Sequence, residues 1–294
     1  MPELPDLTIY LEALAERTAG RPLEKVELLS PFVLRTVDPP VAALQGATVR
    51  AVSRLGKRLV LEFDEELFLV IHLMIAGRLR WRSPGGAAPS RKLTLAVFKF
   101  GEGQLFFTEA GSKKRASLMV VRTRAGLQAL DPGGIEPLEA SPDAFQAALA
   151  RERHTLKRAL TDPSLVSGIG NAYSDEILHA ARLSPLKLTS SLTEVEWASL
   201  YDASQRTLRL WIERLRAEAA GAFPEHVTAF RDGMAVHGRY KQPCPVCAAP
   251  VQRIVYADRE CNYCARCQTG GRLLADRSLS RLLRDAWPRT LDEG

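Results

Sequence analysis

The order of hydrophobic and polar residues divides the chain into a helical start, a strand-rich stretch and a helix-rich stretch. Apolar residues from Leu7 to Leu14 recur at the i, i+3, i+4, i+7 spacing of an amphipathic helix, which Gly20 closes. From residue 24 to residue 122, short alternating or apolar runs are separated by turns, which predicts an antiparallel β-sandwich or barrel. The predicted strands include 58–63, 67–73, 93–98, 104–108 and 117–122.

The pattern becomes helical after a turn-forming segment at residues 131–134. Glycine and proline cluster there, so we predict a domain boundary at this point. Ser141, directly before a proline, is a favourable helix start. Thr193 and Glu196 have the spacing of a capping box, which predicts a helix that runs to about Ala220.

Length and composition are those of an ordinary protein without a membrane segment. The 294 residues suffice for two domains and an appended module, each with its own core. No apolar stretch reaches the length of a transmembrane helix, and the acidic N-terminus lacks the residue order of a signal peptide. We therefore expect a cytoplasmic protein. The net charge of +6 favours an anionic partner.

All five cysteines lie close together near the C-terminus. Cys244 and Cys247 form one C-x-x-C pair, Cys264 and Cys267 form a second, and sixteen residues separate the pairs. This spacing suits a β-hairpin that brings four thiolates around one tetrahedral Zn²⁺. Because protein would fill all four positions, we expect one structural zinc ion per chain. A redox dithiol pair is the less favoured alternative, and Cys261 is expected to be a hairpin side chain.

The N-terminus carries a candidate nucleophile. A small proline after Met1 favours removal of the methionine, which leaves Pro2 with a free secondary amine. The pKa of an α-amine lies far below that of lysine, so much of it is unprotonated near neutral pH. Such an amine can attack an electrophilic sugar carbon and form an iminium, and Glu3 beside it could move protons. The alternative is that Pro2 and Glu3 only precede a helix whose first turn holds Pro5.

Two further segments have the features of phosphate sites. Gly168 and Gly170 form a tight turn before a helix that begins near Asn171, and such a turn exposes backbone N–H groups to phosphate oxygens. A plain interhelical turn is the alternative. Between the cysteine pairs, a strand-like run from Arg253 leads to a turn with Arg259, whose guanidinium suits a phosphate clamp. A solvated surface arginine is the alternative there.

Together these motifs resemble the formamidopyrimidine-DNA glycosylase/endonuclease VIII family of base-excision repair enzymes. The resemblance extends from Pro2 to Gln268 and rests on the order and spacing of the motifs. They are Pro2-Glu3-Leu4-Pro5, Leu55-Gly56-Lys57-Arg58-Leu59, His72-Leu73, Leu156-Lys157, residues 168–176 and the cysteine hairpin with Arg259 five residues before Cys264.

The resemblance implies a multidomain α+β fold. It has an N-terminal antiparallel β-sandwich flanked by helices, a helical helix–two-turn–helix domain and a C-terminal zinc β-hairpin. The expected parts are a catalytic β-sandwich domain (1–131), a helix–two-turn–helix DNA-binding domain (132–222), a zinc-hairpin module (223–270) and a C-terminal tail (271–294). The tail holds a predicted amphipathic helix at residues 278–287.

The resemblance also implies roles for individual residues. Pro2 is expected to attack C1′ of the damaged nucleotide, with Glu3 acting in proton transfer. Lys57 is expected to bind phosphate and to assist elimination. Asn171 and Arg259 are expected to hold the phosphates that flank the flipped nucleotide, and Arg259 thereby to serve catalysis.

Three more residues are expected to contact DNA. The family fills the gap left by the flipped base with an intercalating methionine, and Ile75 falls at that position here, with Met74 as the alternative wedge. The neighbouring loop, which carries an Arg/Phe pair in the family, reads Glu-Ala-Gly-Ser-Lys-Lys-Arg at 109–115. Lys113 keeps the charge without the arginine geometry, so we expect weak discrimination among opposite bases. Lys157, in the Leu-Lys motif, is the third residue.

We therefore predict a monomeric, nucleoid-associated DNA glycosylase and AP lyase whose partner is damaged DNA. It would remove damaged, most simply oxidised, bases through a Pro2 Schiff base and cleave the abasic strand by β,δ-elimination. The segment 223–236 is short for the loop that covers oxidised purines in some members, which disfavours an 8-oxoguanine specialist. The alternatives are a glycosylase for alkylated or cross-linked bases and a non-catalytic DNA-damage-binding protein. A protein that only binds DNA needs none of Pro2, Glu3 and Lys57, so their joint presence argues against the last alternative.

His72, in the His-Leu motif, is expected to be a buried core residue.

Overall fold

Residues 1–111, 113–225, 227–256, 259–274 and 289–291 are described by the computed structural model, except for the side chains of Tyr256 and Arg259. The helix predicted at 278–287 lies outside these residues. The chain divides into an N-terminal unit, Met1–Pro132 with Trp211–Thr228, and a C-terminal unit, Gly133–Leu210 with Ala229–Gly294. The first division falls within the turn-forming segment at 131–134.

Helix α1 (Leu4–Thr18) opens the N-terminal unit, at the spacing that the apolar residues predict. A capping box starts it: the backbone N–H of Glu3 donates to the carboxylate of Asp6 over 3.0 Å. The apolar face of the helix is buried in the core of the unit. Its fully buried residues include Leu7, Tyr10 and Leu14.

Two four-stranded antiparallel sheets form the body of the N-terminal unit. Their strands are β1 (Lys25–Leu28), β2 (Val49–Leu55), β3 (Arg58–Phe63), β4 (Leu67–His72), β5 (Gly77–Arg82), β6 (Thr94–Phe100), β7 (Gly103–Glu109) and β8 (Ser117–Arg122). One sheet has the order β1-β6-β7-β5 and the other β2-β3-β4-β8. Side chains of both sheets, such as Leu61 and Phe107, share one buried core. The predicted β-sandwich is therefore confirmed. A short helix, α2 (Arg124–Gln128), follows β8.

The C-terminal unit is helical and ends in a β-hairpin. Its elements are α3 (Pro142–Ala150), α4 (Leu156–Thr161), α5 (Asn171–Ala180), α6 (Glu194–Ala219, of which the residues from Trp211 belong to the N-terminal unit), β9 (Val251–Tyr256), β10 (Arg259–Cys264) and α7 (Ala265–Thr269). Both predicted helix starts are confirmed. The Ser141 hydroxyl accepts from the Ala144 N–H, and Thr193 and Glu196 exchange the two bonds of a capping box. Within the described residues, no helix is long and apolar enough to cross a membrane.

Candidate functional site

The N-terminus lies in a charged part of the N-terminal unit. Pro2 and Glu3 are buried immediately before α1. Burial lowers the pKa of the Met1 α-amine; Glu3 raises it, whereas Arg78 and Lys57 lower it. Loss of Met1 would move the free amine to Pro2, so the Met1 amine stands in for the nucleophile predicted there. The positive charges of Arg78 and Lys57 therefore both favour the unprotonated form of the terminal amine.

Lys57 lies in a tight turn between β2 and β3. Leu55 and Arg58 are paired across β2 and β3, which leaves only Gly56 and Lys57 in the connection. Gly56 has a φ of 61°, a conformation that glycine adopts without strain. The turn projects from the end of the hairpin, and the Lys57 charge reaches both the Met1 amine and His72. The structure thus brings Lys57 and the N-terminus together.

His72 shapes the next turn instead of filling the core, which corrects the sequence-based expectation. The residue is half-buried at the end of β4. Burial, together with the nearby Arg58 and Lys57, lowers the pKa of His72 to about 4, so the ring is neutral near pH 7. Its Nδ1 accepts a hydrogen bond from the backbone N–H of Met74 over 3.2 Å. The ring therefore holds the start of the turn between β4 and β5.

Ile75 is the exposed apolar residue of that turn. Its side chain is 62% exposed, whereas Met74 is half-buried with a φ of 51°. Ile75 is therefore not a buried strand residue, and Met74 stays the alternative wedge. A Cβ at Gly77 would lie 2.2 Å from the Leu73 carbonyl oxygen, so the closed turn requires glycine there. Whether Ile75 enters DNA stays a prediction.

Arg78 belongs to none of the motifs that predict a functional role from the sequence. Its guanidinium donates to the carbonyl of Ile75 over 3.0 Å and to that of Gly77 over 2.6 Å. Arg78 therefore contacts the exposed turn, and its charge also acts on the N-terminal amine. The regular alternation Arg-Leu-Arg-Trp-Arg from residue 78 is a strand signal that could have drawn attention to it.

The loop after β7 is folded around a buried carboxylate. Glu109 is 1% exposed, and its carboxylate accepts from the backbone N–H groups of Arg115 and Ala116 over 3.0–3.3 Å. The ammonium of Lys114 donates to the Glu109 carbonyl. Lys113 is exposed, as a DNA contact requires.

In the C-terminal unit, Asn171 and the strand that begins at Arg259 are in contact. Asn171 is the first residue of α5, directly after the predicted glycine turn. Its side-chain amide donates to the backbone carbonyl of Glu260 over 2.8 Å. Arg259 precedes Glu260 and pairs with Tyr256 across the hairpin. The side chain of Arg259 lies outside the described residues, so its phosphate contact stays a prediction.

Lys157 is bound internally. Its ammonium donates to the Asn171 carbonyl over 2.7 Å, to the Ser174 hydroxyl over 2.8 Å and to the Asp175 carboxylate over 2.5 Å. The side chain is 13% exposed. The prediction that Lys157 contacts DNA remains untested, but the ammonium has three N–H groups and three protein acceptors.

Asp175 is the centre of a buried polar cluster that sequence reasoning missed. One carboxylate oxygen accepts from Lys157 and the other from His237 Nδ1 over 2.7 Å. The Cys261 thiol lies near Asp175, whose carboxylate helps to raise the pKa of that thiol. Next to it, the Glu176 carboxylate accepts backbone N–H bonds from residues 235–237 over 2.7–2.9 Å. These residues join α4, α5, the segment after α6 and β10.

Four cysteine thiols form a candidate metal centre. The Sγ atoms of Cys244, Cys247, Cys264 and Cys267 all lie within 4.8 Å of one another. The Cys247–Cys264 and Cys244–Cys267 pairs are 3.4 and 3.9 Å apart, against about 3.8 Å between sulfurs in a tetrahedral zinc site. Four thiolates at this spacing fit a Zn²⁺ ion. Cys261 lies outside the cluster, as predicted.

The neighbourhood of this cluster also suits thiolate ligands. The backbone N–H groups of Val246 and Cys267 donate to the sulfurs of Cys244 and Cys264, each over 3.5 Å. His179 Nε2 lies 3.3 Å from Cys244 Sγ. Such contacts orient metal-binding thiolates and offset their negative charge.

Comparison with known proteins gives consistent matches. The family model for the formamidopyrimidine-DNA glycosylase N-terminal domain matches residues 1–113, and that for the H2TH domain of the same enzyme matches residues 134–219. The chain is 32% identical over 280 residues to the formamidopyrimidine-DNA glycosylase of Desulforamulus reducens, covering 91% of this chain and 99% of the relative. It is 34% identical over 268 residues to that of Moorella thermoacetica, covering 86% and 94%.

Solved structures match the fold over the same extent. Lactococcus lactis Fpg in complex with DNA containing an abasic site has a TM-score of 0.79 and 28% identity, with 91% of this chain and 99% of that chain covered. MutM in complex with DNA containing carbocyclic 8-oxo-G has a TM-score of 0.79 and 26% identity, with coverage of 91% and 100%.

Proposed function

The chain belongs to the formamidopyrimidine-DNA glycosylase family of base-excision repair DNA glycosylases, and we propose that it is a bifunctional member that acts through Pro2. It removes a damaged base and then cleaves the strand at the resulting abasic site. The observation that carries this proposal is the N-terminus: a buried Pro2-Glu3 pair, with the charges of Lys57 and Arg78 acting on the terminal amine.

The first step is nucleophilic attack by the secondary amine of Pro2. After removal of Met1, its lone pair attacks C1′ of the damaged nucleotide while the bond from C1′ to the base breaks. The amine must be unprotonated to react, and burial with two nearby cations lowers the pKa of the terminal amine in that direction. Glu3 lies beside the nucleophile and moves protons between the amine, the sugar and the leaving base.

The second step begins when the C1′–O4′ bond of the sugar opens, O4′ takes a proton and the nitrogen lone pair forms the iminium, from which elimination follows. The positive nitrogen acidifies the C2′–H bond, so loss of that proton expels the 3′ phosphate, and a further elimination expels the 5′ phosphate. Lys57, at the tip of the β2–β3 hairpin, binds phosphate and assists these departures. A tight turn with the conformation of Gly56 presents its ammonium with little backbone freedom.

Phosphate binding on the C-terminal unit is assigned to Asn171 and Arg259. The first turn of α5 offers backbone N–H groups and the positive end of the helix. The contact between Asn171 and Glu260 supports a common role, because it joins this turn to the strand that starts at Arg259. Phosphate contacts of this kind position DNA without reading its sequence.

The four-cysteine cluster is proposed to hold one structural Zn²⁺. Cys244, Cys247, Cys264 and Cys267 would fill all four positions, so the ion would stabilise the hairpin and take no part in bond breaking. This module would hold Arg259 at the start of β10.

The proposed substrate is an oxidised base in damaged DNA. Two relatives of known structure were solved with DNA that contains Fapy-dG or an 8-oxo-G analogue, which supports this class. Ile75 is proposed to enter the stack after the base has flipped out, and exposed Lys113 to approach the backbone nearby. Alkylated or cross-linked bases are the alternative substrates.

The test is a panel of end-labelled duplexes that carry one oxidised, alkylated, cross-linked or abasic site each. The proposal predicts strand cleavage at one or more oxidised bases and at the abasic site, with phosphate left on both sides of the gap. Base release without strand cleavage would contradict the lyase activity. Cleavage confined to alkylated or cross-linked bases would contradict the proposed substrate class.

A further inference from the structure

We propose that Lys157 is a positioning residue for the DNA-binding turn, held by the buried carboxylate of Asp175, and that it does not itself bind phosphate. The inference rests on the proposed phosphate contact of Asn171. It changes the role of Lys157 from a DNA ligand to a residue that acts through the turn before α5.

The contacts of the Lys157 ammonium carry the first step. Its three N–H groups match three protein acceptors, on Asn171, Ser174 and Asp175, at 2.5–2.8 Å. The side chain is only 13% exposed. A phosphate oxygen would have to displace one of these acceptors and leave it unpaired in a largely buried place. A direct phosphate contact is therefore unfavourable.

The bonds of Lys157 define the shape of the turn. Besides the Asn171 carbonyl, it binds the Ser174 hydroxyl, which in turn donates to the Gly170 carbonyl over 2.5 Å. Gly170 and Asn171 are the residues whose orientation sets the first N–H groups of α5. The side chain of Asn171 then reaches the Glu260 carbonyl. Lys157 thus holds the turn, and through Asn171 the turn contacts the hairpin.

Asp175 is needed because a cation at this place is otherwise unfavourable. The N-terminus of a helix carries a partial positive charge, which repels an ammonium. The Asp175 side chain is fully buried, and it accepts from both Lys157 and His237. The Cys261 thiol lies near the same carboxylate, which helps to raise its pKa, so the odd cysteine is a neutral neighbour of Asp175 that needs no metal. A buried carboxylate with these partners is stable only while they remain in place.

The experiment measures the affinity for a duplex with a stable abasic-site analogue at several salt concentrations. The variants are Lys157→Met, Asp175→Asn and Asn171→Ala, with Lys187→Met as a matched control that removes one lysine, paired with Glu196, from the same unit. Thermal unfolding of each variant shows that it is folded at the assay temperature. If Lys157→Met does not fold, Lys157→Gln, which keeps a donor without the charge, takes its place.

We expect Lys157→Met to weaken binding about tenfold at every salt concentration, with the wild-type slope of log Kd against log salt. A residue that only positions the turn releases no counterion from the DNA, so its loss leaves the salt slope unchanged. Loss of a direct phosphate contact would lower the slope by about 0.9. Lys157→Met should add little in the Asn171→Ala background, since coupled residues are not additive.

Two outcomes separate this proposal from the function on which it rests. A lowered salt slope for Lys157→Met, or full additivity with Asn171→Ala, would overturn the positioning role. Wild-type affinity of Asn171→Ala would instead contradict the phosphate role of Asn171 in the proposed function. Lys187→Met should bind like wild type.

Discussion

The side-chain amide of Asn171 donates a hydrogen bond to the backbone carbonyl of Glu260 over 2.8 Å, although 89 residues separate them in the chain. The bond connects the first residue of α5 with the residue that follows Arg259. The glycine turn and the cysteine hairpin were identified from unrelated motifs, and this contact joins them within the C-terminal unit. The proposed function gives both segments a shared task in holding the DNA backbone.

Arg259→Ala should weaken binding to every duplex by a similar factor. Removal of one phosphate contact should also lower the salt slope by about one unit and slow strand cleavage. Salt-dependent affinities for lesion-bearing and undamaged duplexes measure this. Arg253→Ala is the matched control, because Arg253 lies on the same hairpin and packs on the Tyr240 ring at 4.3 Å. An effect limited to one lesion would argue against a phosphate contact.

Cys261→Ser should keep about one zinc ion per chain, whereas Cys267→Ser should lose it. Burial and the neighbouring Asp175 carboxylate raise the pKa of Cys261 well above its ordinary value, so it stays a thiol. Serine replaces it with a neutral hydroxyl of similar size. Metal analysis of the purified variants decides the matter. Loss of metal from Cys261→Ser with retention in Cys267→Ser would mean that our ligand set is wrong.

Ile75→Ala should lose activity on paired lesions and much less on single-stranded or abasic substrates. An apolar side chain that fills the gap offsets part of an unstacking cost of a few kcal/mol, which is smaller where stacking is already disrupted. Because Ile75 is exposed, its truncation should leave the melting temperature nearly unchanged. Met74→Ala is the comparison. If Met74→Ala alone shows the paired-lesion defect, Met74 is the wedge.

Arg78→Gln should move the acidic limb of the pH–rate profile to higher pH. The Arg78 charge lowers the pKa of the N-terminal amine, so its removal raises that pKa. Iminium formation needs the unprotonated amine, and the rate therefore rises as pH passes through the pKa. The variant should be slower below the limb and equal to wild type above it. Arg82→Gln, whose arginine pairs with Glu225, should leave the limb in place; an unshifted limb in Arg78→Gln would contradict the electrostatic account.

The sequence predicts much of the secondary structure because the relevant signals are local. Strands β3 and β8 coincide with the predictions at 58–63 and 117–122, where apolar and β-branched residues stand between turns. Helix α5 begins at Asn171 because two glycines end the preceding turn. Lys57 directly precedes the predicted strand 58–63 and lies in the two-residue connection between β2 and β3.

The buried cluster around Asp175 could not be predicted in the same way. Its partners Lys157 and His237 lie 18 and 62 residues away in the chain. Hydrophobic periodicity treats all three as exposed polar positions, because a charge is buried only when tertiary structure supplies its partners. Arg78 could not be identified from the sequence for the same reason, because its contacts depend on the turn after β4.

The central claim is that Pro2 is the nucleophile, and borohydride trapping on abasic-site DNA tests it most directly. Reduction of the iminium fixes the protein to the sugar, and mass spectrometry of the digested adduct identifies the attached residue. We predict that the protein without Met1 is trapped through Pro2 and that Pro2→Gly is trapped poorly. Equal trapping of Pro2→Gly and wild type, with the sugar attached to Lys57, would contradict the account.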